Sequence, residues 1–192
     1  MELLSATDYS ALTIRWREPH REYHSTQHLE ECLSRFAELR TLAHDAAAVE
    51  AALWLHDAVL NPERNDNEVQ SAALAREMLS ARGVSAARIA HIEAMILATT
   101  HAAVSDDAAA QLVCDIDLAI LGASATRFDE YERQVRAEYA FVPEPMFRVK
   151  RAEILARFLG RSQLYATAAL RAALEATARE NLARSLASLR AP

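Results

Sequence analysis

The stretch Ala51-Ala52-Leu53-Trp54-Leu55-His56-Asp57-Ala58-Val59 constrains this chain more than any other. It reads as a buried apolar helix that ends its run with an imidazole and a carboxylate side by side. Burying both without partners is costly. A bound metal ion would partner both at once. Adjacent helical positions point about 100° apart at 3.6 residues per turn, so an ion shared by His56 and Asp57 has to lie beside the helix. Its other ligands must then come from other helices, which makes a helical bundle the natural scaffold.

The rest of the sequence is consistent with that scaffold. There are 192 residues, enough for one domain with a sizeable core. Hydrophobic residues make up 52% and glycine only 3 positions, with Ala and Leu recurring throughout, which favours packed helix over disorder. The expected architecture is all-α and single-domain over 1–192, with a core at about 20–160 and a closing helix at about 165–190. The net charge of −6 argues against a nucleic acid polymer as partner, because phosphate backbones are met by a basic face. A small anionic substrate remains compatible, since an ion supplies local positive charge. Cys32 and Cys114 stand in unrelated contexts, neither in a Cys-x-x-Cys pattern. That speaks for a reducing, cytoplasmic setting and against thiolate zinc. No basic-then-apolar leader and no membrane-spanning run is read.

Along the chain, Tyr9, Leu12 and Trp16 recur at helical spacing before Pro19. Ser25 or Thr26 is placed to cap a second helix that turns Leu29, Leu33, Phe36 and Leu39 inward. Asp45, in a second His-Asp pair, caps a helix over 46–60. A helix opens at Glu68 and is stopped by Gly83; another starts at Ser85 and reaches His101. Residues 112–122 alternate like a strand, but nothing else in the chain would pair with one, so a short helix ended by Gly122 is expected. Phe128, Tyr131, Val135 and Tyr139 line the next helix, which Pro143 and Pro145 break. Phe147, Ile154, Leu155 and Phe158 line another. The last helix, from about Tyr165 to Leu189, closes the core on this reading; a dimerisation arm is the alternative, and a homodimer is compatible with it.

Metal-competent side chains stand at four places in or beside apolar helices: His28, His56-Asp57, His101, and Asp115 or Asp117. Imidazole and carboxylate suit a borderline or hard divalent ion such as Mn, Fe, Co, Ni, Zn or Mg.

Six stretches in order resemble the HD superfamily of metal-dependent phosphohydrolases, and more narrowly a bacterial group of predicted HD phosphohydrolases. They are Arg21-Glu22-Tyr23-His24-Ser25-Thr26-Gln27-His28, Ala52 to Val59, Asp66-Asn67-Glu68-Val69-Gln70-Ser71-Ala72, Ile96 to His101, Asp115 to Gly122, and Val135-Arg136-Ala137-Glu138-Tyr139. The resemblance implies an HD-type fold and phosphoester hydrolysis without naming a substrate. It implies His28, His56, Asp57 and Asp117 as metal ligands, with His24 competing with His28 and Asp115 with Asp117. His101 resembles a further histidine at the second metal or the phosphate, and Asp57 could bridge two ions. Glu68 would orient water. Arg21, Arg136 or Arg151 would clamp phosphate, and Tyr23 with His24 would face a small phosphorylated substrate such as a nucleotide. The alternative is a non-hydrolytic module that binds a nucleotide or phosphate in the same place.

Overall fold

The computed structural model describes residues 3–191. Among them the chain is all-α, as composition and periodicity predict: nine α-helices, two 3-10 turns and no strand. Among the described residues no single helix is long and apolar enough to cross a membrane. The chain divides into two compact units, Met1–Asp117 and Leu118–Pro192.

The first unit holds α1 (Ala6–Trp16), α2 (Thr26–Leu39), α3 (Ala46–Leu55), α4 (Asn67–Ala81), α5 (Ala86–Ala98) and α6 (Ala108–Asp117). Its helix starts follow local chemistry. Ser5 and Asp8 form a reciprocal capping box on α1. The Asp45 carboxylate accepts from the Ala48 amide at 3.1 Å, and Asp107 does the same for Ala110 at 2.8 Å on α6. Gly83 follows α4 with φ +70°, the left-handed conformation that only glycine adopts without cost. Leu12, Trp16, Phe36, Leu53, Leu55, Leu79, Ile92, Met95 and Ile96 are fully buried and form the core. In α2 the inward stripe is His28, Leu29, Cys32 and Phe36. It is turned one position from the expected Leu33 and Leu39, both of which are only half-buried.

The apolar helix ends earlier than its sequence suggests. α3 stops at Leu55, not near residue 60, so His56 is its C-cap and Asp57 lies in the turn beyond. No Gly or Pro marks this stop. Side chains from elsewhere take up the freed backbone groups: Arg21 donates to the carbonyls of Asp57 at 2.7 Å and Ala58 at 3.2 Å. The Val59 amide donates to the Ser71 hydroxyl at 3.1 Å. A tertiary contact, invisible to periodicity, sets the direction of the His-Asp pair.

The second unit opens with a 3-10 turn, Leu118–Gly122, followed by α7 (Ala125–Glu138), α8 (Glu144–Leu159) and α9 (Ala168–Arg190). Phe128, Tyr131, Val135, Leu155, Phe158, Leu170, Leu182 and Leu186 are among its buried apolar residues, whereas Ile154, expected inside, is 38% exposed. α9 packs on the opening turn so closely that a Cβ on Gly122 would lie 2.6 Å from Leu174 Cβ. Asn181 fixes this approach by donating to the Leu121 and Ala123 carbonyls, each at 2.9 Å. Arg136 and Arg151, expected as phosphate clamps, are engaged within this unit. Arg136 binds Glu144 and the carbonyls of Tyr139 and Val142. Arg151 is buried against Glu132 and the Tyr131 ring.

Candidate metal centre

Four donor atoms converge in the first unit, where the ends of α3 and α6 meet the first turn of α2. His28 Nε2 lies 3.2 Å from His56 Nε2 and 3.1 Å from Asp117 Oδ1. His56 Nε2 lies 3.0 Å from Asp57 Oδ2 and 3.6 Å from Asp117 Oδ1. His28 Nε2 and Asp57 Oδ2 are 3.8 Å apart. Both histidines are buried, and the two aspartate side chains are 13% and 16% exposed.

Neighbouring groups fix the histidine orientations. His56 Nδ1 sits 2.9 Å from the Leu53 carbonyl, which can only accept, so Nδ1 carries a proton and Nε2 is the atom turned to the cluster, where loss of its own proton to an ion would free a lone pair. His28 Nδ1 meets the Tyr23 hydroxyl at 3.0 Å. The fully buried Trp16 ring lies 5.6 Å from His56 and 6.2 Å from His28, and its Nε1 donates to the Trp54 carbonyl. Such outer contacts set the tautomer and aim of metal-binding imidazoles.

The electrostatics describe a site that attracts a cation. Burial alone would lower His56, yet the Asp57 carboxylate, its hydrogen bond and that of Asp117 hold the imidazole well above its usual range. Burial would raise Asp57, but His56 and His24 outweigh it and keep the carboxyl ionised. Asp117 is likewise depressed against burial, chiefly by hydrogen bonds from His101, His28 and His56. Electron-pair donors crowded at these distances need positive charge among them, supplied by protons or by a cation.

A divalent ion fits the spacing. With metal–ligand distances of about 2.0–2.2 Å, ligand atoms stand about 2.8–3.1 Å apart on an octahedral edge and about 3.3–3.6 Å on a tetrahedral one. Four of the five pairwise separations above fall within or at the edge of these ranges, and the fifth is slightly longer. The group whose ligand atoms all lie within 4.8 Å of one another is His28, Cys32, His56 and Asp117, with Asp57 beside it on His56. Cys32 was absent from the sequence-derived ligand set. Its signal was the His28-x-x-x-Cys32 spacing, one helical turn on one face of α2.

The structure places the other candidates unequally. His101 comes to the cluster: its Nε2 donates to Asp117 Oδ2 at 2.8 Å. Its φ of +53° is the only left-handed angle on a non-glycine residue among those described. Such strain costs about 1 kcal/mol or more and is characteristic of functional positions. Asp117, and not Asp115, supplies the carboxylate of this cluster. His28 is the ring in the cluster; His24 is half-buried beside it, with ring centroids 5.9 Å apart, near enough to act electrostatically on Asp57.

Two expectations are corrected in role. The Arg21 side chain has no exposed surface. Its guanidinium pairs with Glu18 and donates to the carbonyls of His24, Asp57 and Ala58, so it holds backbone and is not turned to a phosphate. Tyr23 is 4% exposed and holds His28, so it offers no face for a base to stack on. Glu68 lies half-buried in the first turn of α4, where an acid favours the helix dipole. No hydrogen bond or ion pair joins it to the cluster among the described residues.

Comparison of the chain with protein-family models, with curated proteins and with solved structures gives no match.

Proposed function

We propose that this chain is a metal-dependent phosphohydrolase of HD type, acting in the cytoplasm on a small phosphorylated compound. The observation that carries the reading is the convergence of His28 from α2, His56 and Asp57 from the turn that ends α3, and Asp117 from α6 in a buried cluster. These donors appear along the chain in the order His, His-Asp, Asp.

His28, His56, Asp57 and Asp117 would hold the ion. When bound, a divalent ion there supplies Lewis acidity toward a phosphoryl oxygen and makes water a stronger nucleophile at neutral pH. The protein's own contributions are positional. Leu53 and Tyr23 aim the two imidazoles. Arg21 fixes the turn that points Asp57 inward. Trp16 walls one side of the cluster and keeps bulk water from it. His101 Nε2 meets Asp117 Oδ2 at 2.8 Å, and this reading assigns His101 the donation of a proton to the departing oxygen as the phosphorus–oxygen bond breaks.

The test is a panel of phosphomonoesters, phosphodiesters and nucleotides, run with Mn, Fe(II), Co, Ni, Zn or Mg. The reading expects hydrolysis of at least one class, reduced about 100-fold or more by Asp117→Asn. A panel with no hydrolysis under any metal would refute it. A nucleotide that binds with metal and stays intact would make this a binding module instead.

A further inference from the structure

We infer that Cys32 is itself a ligand in the metal centre. The centre therefore takes a thiophilic divalent ion, such as zinc, cobalt, nickel or iron(II), in preference to magnesium or manganese. This rests on the metal-centre reading above and adds to it the class of ion.

Cys32 lies one turn beyond His28 on the inward face of α2. Its Sγ is 3.7 Å from His28 Nε2. A thiolate and an imidazole bound to one ion would stand about 3.1 Å apart at the right angles of a five- or six-coordinate site and about 3.5 Å at a tetrahedral angle, given metal–sulfur and metal–nitrogen distances of about 2.3 and 2.05 Å. The sulfur, His28, His56 and Asp117 already present donor atoms within 4.8 Å of one another.

The thiol has little other polar employment. It is 2% exposed, and among the described residues its contacts within hydrogen-bond range are with the two ring nitrogens of His28, at 3.7 and 3.8 Å. Nearly equal distances to both nitrogens place the sulfur against the imidazole ring and along neither lone pair, so ligation requires the Cys32 side chain to turn toward the Nε2 side of the ring. His28 Nδ1 is in any case engaged by Tyr23 and Nε2 by Asp117 and His56. A cysteine serving only as a small apolar filler has no need to sit at a convergence of imidazoles and carboxylates.

Sulfur in the donor set changes selectivity. Thiolate favours soft and borderline ions, whereas magnesium and manganese prefer oxygen donors. On ligation the S–H bond is given up and its proton leaves to the buffer.

Cobalt(II) titration of the full chain tests this, because the ion reports its ligands in its absorption spectrum. Wild-type protein should show visible ligand-field bands together with a near-ultraviolet sulfur-to-cobalt charge-transfer band. Cys32→Ser should keep the visible bands and lose the charge-transfer band. Its cobalt affinity should fall about 10–100-fold while manganese affinity changes less than about threefold. Cys114→Ser should retain every band; with only two cysteines in the chain, that result alone assigns the sulfur to Cys32 even if the Cys32 variant does not fold. Visible bands without charge transfer in the wild type would overturn the role of Cys32 and leave the metal centre standing. A charge-transfer band that survives Cys32→Ser, or vanishes in Cys114→Ser, would also overturn it. No cobalt binding at all would overturn both readings.

Discussion

Replacing Arg21 separates its backbone-holding role from a substrate-binding one. Its guanidinium donates to the carbonyls of His24 at 3.0 Å, Asp57 at 2.7 Å and Ala58 at 3.2 Å, and pairs with Glu18 at 3.1 Å. Hydrogen bonds to a charged group are worth about 1.5–3 kcal/mol each, but bonds that share one side chain do not add. Removing one partner of a buried charged network costs about 3–5 kcal/mol, which we take for Arg21→Ala. For a chain of this size that corresponds to a fall of roughly 6–20 °C in Tm. Arg21→Lys should recover only a minor part, because an ammonium cannot span three divergent carbonyls as the planar fork does. Thermal and urea denaturation followed by circular dichroism would read both. Stability within about 1 kcal/mol of wild type, with KM for a phosphoester raised and kcat unchanged, would refute the reasoning and return Arg21 to the phosphate.

Three further outcomes are expected. Tyr23→Phe removes the hydroxyl at His28 Nδ1 and should weaken metal binding about 10-fold, with the fold retained, in a competition titration against a chelating dye. Asp45→Ala removes both the α3 cap and the fork from Arg88 and should cost about 1–2 kcal/mol at neutral pH. The Arg88 hydrogen bonds hold the Asp45 carboxyl below its usual value against the opposing effect of burial. Its contribution is therefore present above the unfolded value of about 3.9 and is lost as pH falls through the folded value. The gap between wild type and variant in urea midpoint should accordingly close in acid. Chelation should lower Tm by about 5–10 °C if the ion is present at about 100 times its Kd, a linkage of about 2.7 kcal/mol. The His56→Ala, Asp57→Ala double variant should not respond to chelator.

Where local chemistry decides, the sequence was readable. Asp45 as the cap of α3 and Gly83 as the stop of α4 follow from residue type and position alone. So did the helical assignment of 112–117, because an isolated strand has no partner. The ordered His, His-Asp, Asp pattern put His28, His56, Asp57 and Asp117 in one candidate set, and the structure brings those four side chains together. Tertiary contacts were not legible. The end of α3 at Leu55 depends on Arg21 reaching across from the segment after α1. The rotation of α2 that turns Cys32 inward ahead of Leu33 depends on which face the neighbouring helices leave open. Arg21 and Tyr23 were placed near the site by their position in sequence, which left open whether they face a ligand or the protein. Each is polar and close to a ligand, and only burial reveals that its polar atoms hold other protein groups.

The central claim is that His28, His56, Asp57 and Asp117 form a metal centre. Elemental analysis tests it most directly, on full-length protein purified without chelator or affinity metal and then incubated with Mn, Fe(II), Co, Ni, Zn and Mg. The account predicts at least one tightly held divalent ion per chain, absent from a His56→Ala, Asp57→Ala double variant that keeps its helical circular dichroism. A wild-type protein that retains no ion after such incubation, or a double variant that retains the same ion in the same amount, would contradict it.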